Sequence, residues 1–101
     1  MNQKKWNAFP KYIQILNIAA EFSRGKHWLQ KKSELTHCLD RAFDLIDTTL
    51  NDSKWHTSGL RELLRFREQL ANFYIQRDKN HFFQLYKTLL LFTPQSARVK
   101  N

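Results

Sequence analysis

The sequence predicts an all-α fold, a small antiparallel up-down helical bundle of three long helices plus a shorter fourth. Three observations carry this. Glycine and proline number only two each in 101 residues, too few turn formers for a sheet of short strands. Apolar residues recur at the 3.6-residue period in four successive segments. The connections between those segments are short, which favours antiparallel neighbours.

The first helix is expected from about Phe9 to Phe22, with Pro10 tolerated in its first turn and Arg24-Gly25 as its stop. Its apolar residues cover well over half the circumference, leaving Gln14, Asn17 and Glu21 as one narrow polar stripe. The second is expected from Lys26 to Leu50, or from a turn later with Ser33-Glu34 capping a restart. It places Leu35, Cys38, Leu39, Ala42, Leu45, Ile46 and Thr49 on one core-facing side. The third runs from about Ser58 to Arg77, with Thr57 or Ser58 as N-cap. The fourth runs from Asp78 or Asn80 to Phe92 and ends at Thr93-Pro94. It too is broadly apolar. Residues 1–94 read as one helical domain, and 95–101, "QSARVKN", as a flexible basic tail.

Aromatic residues are abundant, with eight Phe, three Trp and three Tyr, so the chain has the apolar bulk to fold. The formal net charge is +8 and unevenly spread. Residues 1–33 hold seven Lys/Arg against one acid, residues 34–53 hold one Arg against five acids, and residues 54–101 hold nine Lys/Arg against three. Two basic ends flank an acidic middle. Such a balance suits phosphate backbones, acidic lipid or acidic protein surfaces. The single cysteine, Cys38, cannot form an intrachain disulfide and points to a reducing, cytoplasmic setting. The N-terminal "MNQKKWNAFPKY" has no apolar run of signal-peptide length, and no stretch of about 18 apolar residues suggests a membrane span.

Chemistry-bearing motifs are scarce. There is no GxSxG, HExxH, CxxC or glycine-rich phosphate loop, and no cofactor is expected. Cys38 lies on the apolar face, about 100° around the helix from His37, so no base accompanies it. His37, Asp40, Asp44 and Asp47 share helical neighbours and would suit a metal or acid–base site, but one His without a second His/Glu pair reads better as a solvated acidic face. A metal-dependent enzyme is the most distant reading. The residues point instead to a non-enzymatic protein that works by binding.

The basic clusters are richer. Lys26, Lys31 and Lys32 surround Trp28, and Lys54 adjoins Trp55. Arg61 and Arg65 form a ridge on the third helix. Cations beside aromatic rings suit single-stranded RNA or DNA, in which bases stack and phosphates pair with charge. Amphipathic anchoring of each Trp at the end of the bundle is the competing reading. The wide apolar faces of the first and fourth helices suggest a self-associating interface, with Phe9, Ile15, Ile18, Phe22, Phe83 and Leu91 as its candidates. A homodimer that docks a protein or nucleoprotein partner is the leading functional expectation, and a sequence-independent nucleic-acid binder the alternative.

One residue breaks the pattern. In "GLRELLRFREQLANFY" Arg67 falls within the apolar face made by Leu60, Leu63, Leu64, Leu70, Ala71 and Tyr74. An unpaired buried guanidinium is costly, so Arg67 must reach a bundle edge, pair with Glu21 or Asp47 to fix helix register, or meet a second chain.

The long helix "ELTHCLDRAFDLIDTTL" followed by "LRELLRFREQL" resembles the layout of small four-helix-bundle proteins such as the accessory proteins of diversity-generating retroelements and the ribosomal intervening-sequence proteins. That resemblance implies a basic, oligomeric protein associated with nucleic acid. The glycine-containing final helix of those proteins is absent from "NHFFQLYKTLLLF", and no site residue is carried over.

Overall fold

The computed structural model describes residues 1–99, and among these there is no strand. Five α-helices follow one another: α1 Gln3–Asn7, α2 Lys11–Lys26, α3 Lys32–Leu50, α4 Leu60–Gln76 and α5 Lys79–Leu90. Two short 3-10 turns, Ser53–Trp55 and Ser96–Arg98, complete the elements among the described residues. The four expected helices are therefore present, and α1 is an addition. It forms because Asn2 caps it, accepting from the Lys5 amide, and because Trp6 gains a wholly buried site.

The helices touch in a closed ring: α2 meets α3, α3 meets α4, α4 meets α5, and α5 returns to α2. α1 lies on α3. The core fills the ring with residues at three- and four-residue spacing, such as Ile15, Ile18 and Phe22 of α2 and Leu63, Phe66, Leu70 and Phe73 of α4. Phe22 is central, with the rings of Phe66, Phe82 and Tyr86 all within 6.0 Å of its own. The radius of gyration, 12.9 Å, matches the value of about 13 Å for a collapsed chain of this length.

Gly25 does not end the first long helix in a left-handed turn. It is helical and buried, and α2 runs one residue past it. The reason is space: a Cβ there would lie 3.2 Å from Leu35 Cδ1 and 3.4 Å from Phe82 Cζ. The glycine lets α2 approach α3 and α5. Residues 27–31 then form the connection, so α3 begins at Lys32 and not at Lys26. The left-handed position falls at Arg77, the C-cap of α4, with φ of 61°. Its side chain offsets the strain by donating to the Tyr74 carbonyl at 2.7 Å and to Thr36 Oγ1 at 3.0 Å. At the other end of α4 the N-cap is Gly59, not Thr57 or Ser58.

The polar stripe expected on the first long helix is not a solvent face. Gln14 is fully buried and Glu21 nearly so, whereas Asn17 is exposed. α1 and the 3-10 turn Ser53–Trp55 provide the reason, because together they close over Gln14. Residues 95–99, read as the start of a tail, form a folded turn. Ser96 is buried and donates to the Leu90 carbonyl at 2.8 Å, while Thr93 Oγ1 accepts from the Ser96 amide at 3.0 Å. Lys100 and Asn101, the remainder of that segment, lie outside the described residues.

Candidate functional site

The three tryptophans separate on burial. Trp6 and Trp55 are 0% and 2% exposed, and only Trp28, at 38%, presents its ring to solvent. The Trp6 indole donates to Thr49 Oγ1 at 2.9 Å, and the Trp55 indole donates to Gln14 Oε1 at 2.7 Å. Gln14 Nε2 in turn donates to the Trp6 carbonyl at 2.9 Å and to Asp52 Oδ2 at 2.8 Å. Asp52 also pairs with Lys54, whose ammonium donates to the Asn7 carbonyl at 2.8 Å. Burial pushes the Asp52 carboxyl up, but the hydrogen bonds from Lys54 and Gln14 outweigh it and hold the group below its usual value. Lys54 and Trp55, expected to meet a nucleic acid, are thus committed to an internal network. Among the described residues no buried side-chain polar atom lacks a partner.

Trp28 sits in the 27–31 connection beside Lys26, Lys31 and Lys32, and Arg24 is exposed one turn earlier. The α4–α5 connection lies at this same end, because Phe82 approaches Gly25 and Arg77 bonds to Thr36. Lys79, the first residue of α5, is exposed there. The opposing acids are Glu34, in the first turn of α3, and Asp78, which is occupied in capping α5 by accepting from the Asn80 amide. α3 begins with Lys31 as N-cap and no side-chain capping bond. Its first N–H groups therefore have no side-chain cap from Lys31, and Lys31 and Lys32 adjoin them in sequence. This end combines one exposed indole, an uncapped helix start and four lysines (Lys26, Lys31, Lys32 and Lys79) that form no ion pair among the described residues, while Arg24 is paired with Glu21.

The candidate binding residues do not form one surface. Lys26, Trp28, Lys31 and Lys32 gather at this end. Lys54, Trp55, Arg61 and Arg65 belong to the end where α4 begins. The length of α2 between Lys11 and Lys26 separates the two by about 22 Å.

The candidate interface residues divide as well. Ile15, Ile18 and Phe22 are at most 1% exposed and belong to the core. The broad apolar face of α2 is covered by α3, α5 and the Ser96–Arg98 turn. Phe9 remains exposed between α1 and α2, and Phe83 and Leu91 remain exposed on α5 and at its C-cap. Arg67 reaches the α3–α4 edge. Its Nε donates to Asp47 Oδ1 at 2.6 Å and its Nη2 to Asp47 Oδ2 at 3.2 Å, over the ring of Phe43. Glu21, the other carboxylate expected for it, instead accepts from Arg24 at 2.6 Å and from Arg41 at 3.0 Å.

The acidic face of α3 disperses its carboxylates. Asp40 accepts from the Tyr74 hydroxyl at 2.9 Å, Asp47 takes Arg67, and Asp44 lies 3.7 Å from the terminal amine. Cys38 is buried, and burial raises its thiol despite nearby Arg41. Among the described residues no helix is long and apolar enough to cross a membrane.

No family model, curated protein or solved structure matches this chain.

Proposed function

We propose that this is a non-enzymatic binding protein that takes single-stranded nucleic acid, without sequence preference, at the end carrying Trp28. The observation that carries the reading is the exposed indole set among Lys26, Lys31 and Lys32 at an uncapped helix start. A base stacks on the indole, and adjacent phosphates meet the lysines and the first N–H groups of α3. Lys79, the first residue of α5, extends the positive track. An up-down, antiparallel run of α2 to α5, which the ring of contacts and the short connections favour, brings both connections to one end.

A protein partner is the second reading. It rests on the exposed side chains of Leu64 and Ile75, which lie three residues before and eight residues after Arg67 on α4. It loses weight because most of the apolar surface that suggested a homodimer is internal. The two readings separate by salt. Fluorescence anisotropy of a labelled single strand is expected to rise on adding protein at low salt. The binding constant falls as salt rises, with a log–log slope near −2 to −3 if three or four phosphates are engaged. Absence of binding at low salt would remove the nucleic-acid reading.

A further inference from the structure

At the other end lies an open cleft of about 450 Å³, between the start of α2, the 53–59 connection, α4 and the end of α5. We propose that this cleft binds a small aromatic carboxylate, independently of the Trp28 end.

Trp55 and Phe66, each 2% exposed, form the floor of the cleft, and Phe92, partly exposed, is the ring most open to it. Phe92 lies 6.4 Å from the Trp55 ring and 5.8 Å from the Phe66 ring, so the three form one continuous apolar wall. Leu91, 71% exposed, extends that wall to the rim. Gly59 keeps the wall intact: a Cβ at its position would lie 2.8 Å from Trp55 Cε3.

Two cations reach the cleft. Lys11 Nζ is held 4.7 Å from the centre of the Trp55 ring by donating to the Ser58 carbonyl at 2.9 Å and to Ser58 Oγ at 3.2 Å. An ammonium has three donors, so one remains for a ligand. Arg65 is exposed and has neither a hydrogen bond nor an ion pair among the described residues. Glu62 is the one acid lining the cleft. The balance favours a single negative charge near Lys11 and Arg65, and the rings favour a flat apolar body against Phe92 and Leu91. The volume is in the range of small-molecule sites, about 300–1,000 Å³.

The test uses 2-naphthoate as probe on the full chain, followed by amide and indole N–H shifts in nuclear magnetic resonance. Saturable shifts are expected at Gly59, Arg65, Leu91 and the Trp55 indole, with the Trp28 indole unmoved. The uncharged 2-naphthamide is expected to bind at least ten-fold more weakly. Arg65→Ala is expected to weaken naphthoate at least five-fold while the spectrum stays dispersed, and Lys11→Met to do likewise. No saturation, equal affinity for acid and amide, or shifts centred on Trp28 would each overturn the proposal.

Discussion

The amide oxygen of Gln14 accepts the indole N–H of Trp55 at 2.7 Å, while its nitrogen holds the backbone carbonyl of Trp6. One buried side chain therefore ties α1 and the Ser53–Trp55 turn to α2. Replacing Gln14 with Ala leaves a buried indole donor, a carbonyl and a carboxylate short of partners, and opens a void. The expected loss is about 2–4 kcal/mol. Urea unfolding checks it. A loss below about 0.5 kcal/mol would mean that water substitutes fully for the amide.

Asp52 gives a pH dependence of known sign. Its carboxyl is held below its ordinary value of 3.8, so its contribution to stability is complete above about pH 5. That contribution is lost as pH falls through the depressed folded value. Asp52→Asn is expected to lower stability at pH 7 and to narrow the gap between pH 7 and pH 3. Melting curves at the two pH values read both effects. An unchanged gap would show that other carboxylates carry the acid sensitivity.

Gly59 and Gly25 should respond differently to alanine. Gly59 has φ of 93° and stacks on Trp55, so Gly59→Ala is expected to cost about 2 kcal/mol or more. Gly25 is helical, where alanine gains about 0.5–1 kcal/mol of propensity against a tight contact with the flexible end of Leu35. Gly25→Ala is expected to be much milder. Denaturant midpoints of the two variants compare them directly.

Arg67 and Asp47 form a two-point pair at a half-exposed edge, with side-chain exposures of 40% and 51%. Such pairs contribute about 1 kcal/mol or less. A double-mutant cycle with Arg67→Ala and Asp47→Ala is expected to give a coupling of that size. Arg61→Ala and Arg65→Ala should leave the melting temperature unchanged, since both side chains are exposed and Arg65 has no partner among the described residues. A coupling above about 2 kcal/mol would mean that the pair is effectively desolvated.

The helices were legible because their signal is local. Leu35, Leu39, Ala42 and Ile46 announce a buried face by spacing alone, and the structure buries all four. Arg67 was legible in part, since an arginine on an apolar face must find an edge or a carboxylate, and Asp47 was one of two within reach. Gln14 was not. A single amide on a helix wheel looks like a solvent stripe, and nothing local says that Trp6 and Trp55 will close over it. Gly25 misled for the same reason, because its close neighbours Leu35 and Phe82 are brought to it only by the fold. The tryptophans of the candidate site were indistinguishable in sequence, each having lysine neighbours. Only long-range packing separates buried Trp6 and Trp55 from exposed Trp28.

The most direct measurement of the nucleic-acid reading compares charge reversal at the two ends, by anisotropy of a labelled single strand at low salt. Lys31→Glu with Lys32→Glu is expected to weaken binding by at least ten-fold, and Trp28→Ala by at least five-fold, corresponding to about 1 kcal/mol of lost stacking. Lys4→Glu with Lys5→Glu, of equal charge change but on α1, is expected to change binding less than three-fold. Equal weakening by the two double variants, with no effect of Trp28→Ala, would contradict a site at Trp28 and leave only the diffuse attraction of a basic protein.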